Sequence, residues 1–260
     1  MRKFFMIDNP TSKDKVKNRI QSPPKNFDEL IRRLEEIKQT GYVKTHRTGP
    51  TGIGKTLEDL LGIIENNVPG PNAVMLELKS ARKGSSNMIT LITKAPLPRG
   101  ANSLLLKRFG YPVPPFGREA LHITLRQPPL WTTIRGKPAI KLNLKNDTIQ
   151  LVSIEGETLG FWTEKVLEEA FKKKFPGLVY VKADCRGEGA NEYFWFNEAW
   201  LLKGFDFEAI KKLIQDFVIR IDIRIGQYPN GRPHDHGTAF RIFEDGLDRC
   251  FKERKNLFKR

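Results

Sequence analysis

The segment at residues 219–225 constrains the fold most, because its isoleucines alternate with charged residues. Successive side chains of a β-strand point to opposite faces of the sheet, so the isoleucines share one face. Arg220, Asp222 and Arg224 share the other face. The pattern therefore predicts a strand in a sheet that has one face buried in a core and one polar face carrying charges of both signs.

Other periodic segments predict an α/β fold in which helices flank a mixed sheet. We expect residues 73–79 and 88–93 to pair as antiparallel strands across a Lys-Gly-Ser-Ser turn. Thr56 and Asp59 have the spacing of a capping box for a helix at 57–66. The remaining predicted helices lie at 26–39, 162–174 and 206–217, and the remaining strands at 119–126, 139–144, 148–154, 178–183 and 238–243.

The chain is long enough for one large domain or for two packed lobes. We place a boundary between lobes near residues 155–160, which predicts one lobe at 1–155 and a second at 156–260. One continuous domain is the alternative.

The composition favours a polyanionic partner. Lysine and arginine number 45 against 30 acidic residues, a formal net charge of +15. Basic side chains on a phosphate lattice release condensed counterions, which favours binding to nucleic acid; a charged surface that only maintains solubility is the alternative. No apolar run reaches the roughly 20 residues that span a bilayer, and the first residues turn polar too early for a secretory signal. We therefore expect a cytoplasmic protein.

A glycine-rich motif at residues 49–56, GPTGIGKT, matches the pattern of a P-loop. A P-loop follows a buried central strand, but the preceding segment at 42–47 is too polar for one. No later apolar run ends in a magnesium-binding aspartate. The motif therefore favours a turn before a helix, which can still contact a DNA phosphate through its backbone, over a nucleotide-hydrolysing site.

A carboxylate and a lysine occur together in the strand predicted at 73–79. Glu77 and Lys79 are two residues apart, so they project from the same face. A carboxylate can hold a hard cation that polarises a phosphodiester, and a lysine can orient the attacking water. Many strands carry such a pair merely as a surface ion pair. Two further residues favour the chemical interpretation, namely Glu58 in the preceding helix and Asn72 shortly before Glu77.

The stretch from residue 46 to residue 82 resembles the catalytic segment of the MvaI/BcnI-like type II restriction endonucleases, relatives of the MutH mismatch-repair nickase. Those enzymes carry a helix glutamate, an aspartate and then Glu-x-Lys on the next strand, and Glu58, Asn72, Glu77 and Lys79 fall on these positions. The resemblance implies a restriction-endonuclease-like, MutH-type fold with two lobes around a DNA cleft. It also implies that Glu58, residue 72 and Glu77 bind Mg²⁺ and that Lys79 assists the attacking water.

Position 72 departs from that pattern, because the family has aspartate where this chain has Asn72. Asparagine keeps the shape but removes one negative charge, which weakens the binding of a divalent cation. We therefore expect the substitution to inactivate the chain or to leave it weakly active.

The C-terminal region resembles the part of these enzymes that contacts bases from the major groove. Arginine pairs with guanine O6 and N7, histidine donates to guanine acceptors, and aspartate accepts from cytosine N4. The expected DNA-binding residues are Arg47, Arg220, Asp222, Arg224, His234, His236 and Arg241. An ordinary solvated sheet face is one alternative, and a metal site at the His-Asp-His motif of residues 234–236 is another.

The sequence favours a site-specific, Mg²⁺-dependent endonuclease that cuts double-stranded DNA and acts on it as a monomer. A MutH-like nickase is the alternative in the same class. A noncatalytic DNA-binding protein is a different class, which Asn72 favours, and a P-loop nucleotidase is a third.

Overall fold

The computed structural model describes residues 22–63, 76–115 and 117–258. Within these ranges, helices and strands alternate along the chain and the strands form three sheets. The helices are α1 Phe27–Thr40, α2 Gly52–Leu61, α3 Ala101–Phe109, α4 Glu164–Lys174 and α5 Phe207–Gln215.

The first sheet is mixed. Its strands are β1 Val43–Lys44, β2 Glu77–Arg82, β10 Leu178–Arg186, β11 Tyr193–Phe205 and β15 Phe251–Asn256. The central strand β10 runs parallel to β2 and antiparallel to β11. Residues 178–181 are all fully buried, because both faces of this strand are covered. Strands covered on both faces typically have sequences that are continuous apolar runs.

Helices cover the first sheet on its two faces. On one face, Leu34 of α1 and Leu57 of α2 share a hydrophobic cluster with Val179. On the other face, Phe171 of α4 shares a second cluster with Tyr180. The side chain of Asn26 caps α1 and Gly41 ends it with a positive φ of 78°, which confirms the predicted limits of that helix within a residue.

The second sheet carries the strand that the isoleucine alternation predicts. Its strands are β3 Met88–Thr93, β4 Tyr111–Val113, β5 Arg118–Thr124, β12 Ile219–Gln227, β13 Pro233–Asp235 and β14 Ala239–Phe243. The order is β3-β14-β12-β5-β4, with β13 paired to one end of β12. The four isoleucines of β12 are buried in the larger hydrophobic cluster, so the prediction of one apolar and one polar face is confirmed.

The third sheet is an antiparallel meander that packs its apolar side chains into the same cluster. Its strands are β6 Thr132–Ile134, β7 Lys137–Leu144, β8 Thr148–Ser153 and β9 Thr158–Thr163. Residues 155–157 lie in the turn between β8 and β9. The first two sheets each combine strands from before and after this turn; the division into lobes at 1–155 and 156–260 stays a prediction.

Two local predictions are wrong. The strands β2 and β3 do not pair with each other: β2 pairs with β10 in the first sheet, and β3 pairs with β14 in the second. The helix α2 begins at Gly52 rather than Leu57, so Thr56 lies inside it. The buried Thr56 hydroxyl donates to the carbonyl of Gly52 instead of forming a capping box with Asp59. The part of the predicted strand at 73–75 lies outside the described residues.

Candidate active site and DNA interface

Glu77 and Lys79 lie side by side on one face of β2, as predicted. Glu77 is 6% exposed, and its Oε1 is 3.2 Å from the Nζ of Lys79. The backbone N–H of Glu77 donates to the carbonyl of Gly177, which immediately precedes β10. The acidic residue is thus fixed by its main chain and paired through its side chain, so its position does not depend on solvent.

A cavity of about 300 Å³ lies between α2 and β2. Glu58 and Lys79 both line it, so the helix glutamate and the strand lysine that the resemblance links do face one space. Arg47 lines the same cavity from the loop before α2. Ser80, another lining residue, has a buried hydroxyl oxygen without a hydrogen-bond partner. The cavity therefore combines acidic, basic and unpaired polar groups in one place.

Arg82, which the sequence analysis did not single out, connects β2 to the turn before α2. Its Nε and Nη2 donate to the two carboxylate oxygens of Glu192 at 2.6 and 2.8 Å. Its Nη1 and Nη2 also donate to the carbonyls of Pro50 and Gly49, each at 3.0 Å. The hydrogen bond to Glu192 is the main reason that the pKa of Arg82 is raised. These contacts fix the start of α2, and hence Glu58, relative to the strand that carries Glu77.

The glycine-rich motif forms no P-loop. The strand before it, β1, is a two-residue strand at the edge of the first sheet, antiparallel to β11. The ammonium group of Lys55 bonds Asp59 at 2.6 Å instead of lying free over a phosphate site. Burial opposes ionisation of Asp59, but hydrogen bonds from Lys55 and from His46 outweigh it and lower the pKa of this carboxyl.

Lys174 adds positive charge near the Glu77–Lys79 pair. Burial at the end of α4 lowers its pKa, and repulsion from Lys79 lowers it further, whereas attraction to Glu77 raises it. The sequence explains Lys174 by its favourable position at a helix C-terminus, and the structure adds its electrostatic contact with the carboxylate and the lysine of β2.

Two of the three predicted metal ligands can be located. Glu58 and Glu77 are described, whereas Asn72 lies outside the described residues. Within residues 22–63, 76–115 and 117–258, no group of three or more His, Cys, Asp or Glu side chains is arranged to hold a metal ion. The donors present are carboxylate oxygens, which suit a hard cation such as Mg²⁺.

The polar face of the second sheet brings together the predicted base-contacting residues of β12 and β14. Asp222 is 5% exposed, and its Oδ2 accepts a hydrogen bond of 2.9 Å from the Nη1 of Arg241. Arg220 lies directly across from Arg241 in the strand register. The guanidinium of Arg220 lies over the rings of Phe217 and Phe243, 4.4 and 4.7 Å from their centroids.

Several polar atoms on this face have no partner. They are the Nε atoms of Arg220, Arg224 and Arg241 and the Oδ1 of Asp222, four of the six buried side-chain atoms without a hydrogen bond among the described residues. A buried polar group left unpaired costs about 1–3 kcal/mol. These atoms are closed to solvent as the side chains lie, so a ligand can supply the missing partners only if those side chains turn outward.

The His-Asp-His motif divides its side chains between two environments. His234 stacks on Tyr228 with ring centroids 4.2 Å apart, and the ring of His236 lies 4.1 Å from it. Asp235 turns away and accepts a hydrogen bond of 2.8 Å from the side chain of Asn102 in α3. The two histidines therefore remain beside β12, while Asp235 anchors the loop.

Sequence reasoning missed His122 and Thr124 on the neighbouring strand β5. In the register, His122 lies opposite Arg224 and Thr124 lies opposite Asp222. All four line one shallow pocket of about 230 Å³. The alternation of Leu121, His122, Ile123 and Thr124 was the available signal, but a single short strand with one histidine does not indicate a function.

Glu244 joins the two sheets. It follows β14 directly, and its Oε1 accepts from the backbone N–H of Gly84, in the turn after β2, at 3.0 Å. Its Oε2 lies 2.9 Å from the Nζ of Lys182 in β10. The phenol of Tyr180 donates to the carbonyl of Glu244 at 3.1 Å. One 7% exposed carboxylate therefore connects the polar sheet with the sheet that carries Glu77.

The profile of the MvaI/BcnI restriction endonuclease family matches residues 31–251. The chain belongs to this family. A solved complex of the restriction endonuclease MvaI with its cognate DNA substrate is 29% identical, with a TM-score of 0.71, over 88% of this chain and 97% of that one. MvaI in the absence of DNA is 28% identical, with a TM-score of 0.61, over 91% of this chain and 99% of that one. No curated protein sequence matches.

Membership in the MvaI/BcnI family confirms the resemblance that the sequence carries between residues 46 and 82, and the structural matches confirm the predicted restriction-endonuclease fold. None of the helices in the described parts of the chain is long and apolar enough to cross a membrane. The cytoplasmic location stays a prediction.

Proposed function

We propose that this protein is a type II restriction endonuclease that hydrolyses double-stranded DNA at a defined sequence in the presence of Mg²⁺. The observation that carries the proposal is the cavity between α2 and β2, which Glu58 and Lys79 both line, together with the ion pair between Lys79 and Glu77. Membership in a family of restriction endonucleases supports the same reaction.

Each group of the cavity has a role in the proposed reaction. The carboxylates of Glu58, which lines the cavity, and of Glu77, which pairs with the cavity residue Lys79, would hold Mg²⁺, with residue 72 as the third ligand. When bound, the cation polarises the phosphodiester and lowers the pKa of an attacking water. Lys79 orients that water and offsets the negative charge that develops on the phosphate. Arg47, at the rim of the cavity, contacts the DNA backbone next to the cleaved bond.

The polar face of the second sheet would select the sequence. Its arginines and Asp222 offer the donors and the acceptor that G·C pairs match in the major groove, and His234 and His236 extend this surface. The solved complex of MvaI with its cognate DNA, to which this chain is similar over most of its length, supports binding of double-stranded DNA. We propose that the chain acts on DNA as a monomer.

Asn72 reduces the activity in this proposal. A neutral amide in place of the family's aspartate leaves the cation with two charged ligands instead of three, so its affinity falls. A noncatalytic DNA-binding protein is the second candidate function, and Asn72 is the observation that favours it.

The deciding experiment compares this chain with its Asn72→Asp variant on a long duplex of known sequence in Mg²⁺, followed by mapping of the ends. We expect the variant to cleave at least about 100-fold faster and at one recurring sequence. Breaks in both strands indicate a restriction enzyme, and breaks in one strand indicate a nickase. Absence of cleavage by Asn72→Asp, with sequence-selective binding retained, would leave the noncatalytic alternative.

A further inference from the structure

We propose that β5 supplies a base-reading residue, His122, that acts together with Arg224 in selecting the DNA sequence. The inference rests on the proposed function and extends it to a strand from the N-terminal half of the chain. It starts from the pocket of about 230 Å³ that His122, Thr124, Asp222 and Arg224 line on the polar face of the second sheet.

The alternation along β5 places His122 on the correct face. Leu121 belongs to the buried core and Ile123 packs against it. His122 and Thr124 therefore project to the opposite face, where both are exposed. Arg224 and Asp222 project to the same face from the neighbouring strand, since the isoleucines between them are buried.

The hydrogen bonding of the backbone brings His122 close to Arg224. The Tyr111 hydroxyl accepts from the N–H of His122 and donates to its carbonyl, each at 3.2 Å. Both main-chain groups of His122 thus point away from β12, so His122 and Arg224 form a non-hydrogen-bonded pair. In such antiparallel pairs the side chains lie closer together than in hydrogen-bonded ones.

The unpaired atoms beside His122 indicate what the pocket binds. Arg224 and Asp222 both line the pocket, and the Nε of Arg224 and the Oδ1 of Asp222 lack a hydrogen-bond partner beneath its surface. A base edge in the major groove presents donors and acceptors, and a histidine, which carries one donor and one acceptor when neutral, can pair with them beside Arg224. Tyr111 and β12 hold the strand on both sides, so the imidazole is presented from a fixed backbone.

The test measures base preference by binding, which does not require cleavage. The probe is a pool of duplexes with a randomised central segment, incubated with Ca²⁺ in place of Mg²⁺, and the retained duplexes are sequenced. His122→Ala is compared with the unaltered chain. Thr133→Ala, an exposed strand residue of the third sheet, serves as the control, and His122→Asn restores one donor and one acceptor.

We expect His122→Ala to lose about tenfold in discrimination at one base-pair position, with the other positions and the nonspecific affinity unchanged. His122→Asn recovers part of that preference, and Thr133→Ala keeps all of it. An unchanged profile for His122→Ala, or uniform weakening on every sequence as for a phosphate contact, overturns the inference and leaves the proposed function standing. Absence of any sequence preference in the unaltered chain overturns the proposed function itself.

Discussion

The first and second sheets hold their charged side chains in different ways. On the first sheet, Glu77 is paired with Lys79, and Arg82 is bonded to both oxygens of Glu192 and to two carbonyls. On the second sheet, three arginines keep an unpaired Nε and Asp222 keeps an unpaired Oδ1. Both sheets have comparably buried apolar faces, so the difference lies in the polar groups alone.

This difference matches the two tasks that the proposed function requires. Hydrolysis needs groups held in place before the substrate arrives, because reorganising them during the reaction raises the barrier. Reading a sequence needs hydrogen-bonding groups whose partners are the bases themselves, because a group already satisfied within the protein gains little from the correct base. The first sheet, where Glu77 and Arg82 are bonded within the protein, is therefore suited to chemistry. The second sheet, which keeps four unpaired polar atoms beside the Asp222–Arg241 bond, is suited to recognition.

The largest effect is expected at Lys79 of the first sheet. In the Asn72→Asp form, Lys79→Ala should reduce single-turnover cleavage by at least about 1000-fold, because the water loses its orienting ammonium and the phosphate loses its counter-charge. The affinity for DNA and the base preference should not change. Lys165→Ala, an exposed lysine of α4, should cleave normally. Retention of cleavage by Lys79→Ala would show that this lysine has no role in the hydrolysis.

A smaller effect is expected when the hydrogen bonds of Arg82 are weakened and every group proposed to react is kept. Arg82→Lys keeps the charge but cannot bond Glu192 with two nitrogens and both carbonyls at once. A shift of α2 by about 1 Å should reduce single-turnover cleavage by roughly 100-fold.

The measurement for Arg82→Lys is kcat and KM together with the affinity for DNA, all in the Asn72→Asp background. We expect the loss in kcat, with KM and affinity close to their original values. A variant that loses affinity in proportion to activity would make Arg82 a DNA contact rather than a positioning residue.

Sequence alone predicts the parts of each sheet that local periodicity encodes. The alternation at residues 219–225 correctly indicates β12 and its two faces, and the apolar stripe at Leu30, Leu34 and Ile37 correctly indicates α1. The spacing of Glu77 and Lys79 correctly places both on one face. These features depend only on neighbours along the chain.

The errors fall where a distant segment decides the structure. β2 pairs with β10, about a hundred residues further along the chain, so proximity to β3 in sequence misleads. The strand β11, which spans the aromatic run at 193–196, was missed because that run has no simple alternation. The early start of α2 at Gly52 was missed because two glycines of the motif are poor helix formers. The buried Thr56 and the contacts of Arg82 stabilise that turn.

In the candidate site, too, the sequence does not predict contacts between residues that are far apart along the chain. Arg82 and Glu192 are far apart in sequence, and their hydrogen bonds follow from the pairing of β2, β10 and β11. His122 gains its significance from Arg224, on a strand about a hundred residues later. The family resemblance indicates candidate catalytic residues, whereas only the fold identifies the residues that surround them.

The division of tasks between the two sheets is tested most directly by Arg224→Ala in the Asn72→Asp background. The measurement is single-turnover cleavage of the preferred duplex and of duplexes with one base pair changed. We expect the ratio of these rates to fall about 30-fold at the one base pair that Arg224 reads, with cleavage of the duplex altered at that position unchanged. An equal fall on every duplex, with the ratio preserved, would show that Arg224 serves catalysis or phosphate binding and would contradict the assignment of recognition to the second sheet.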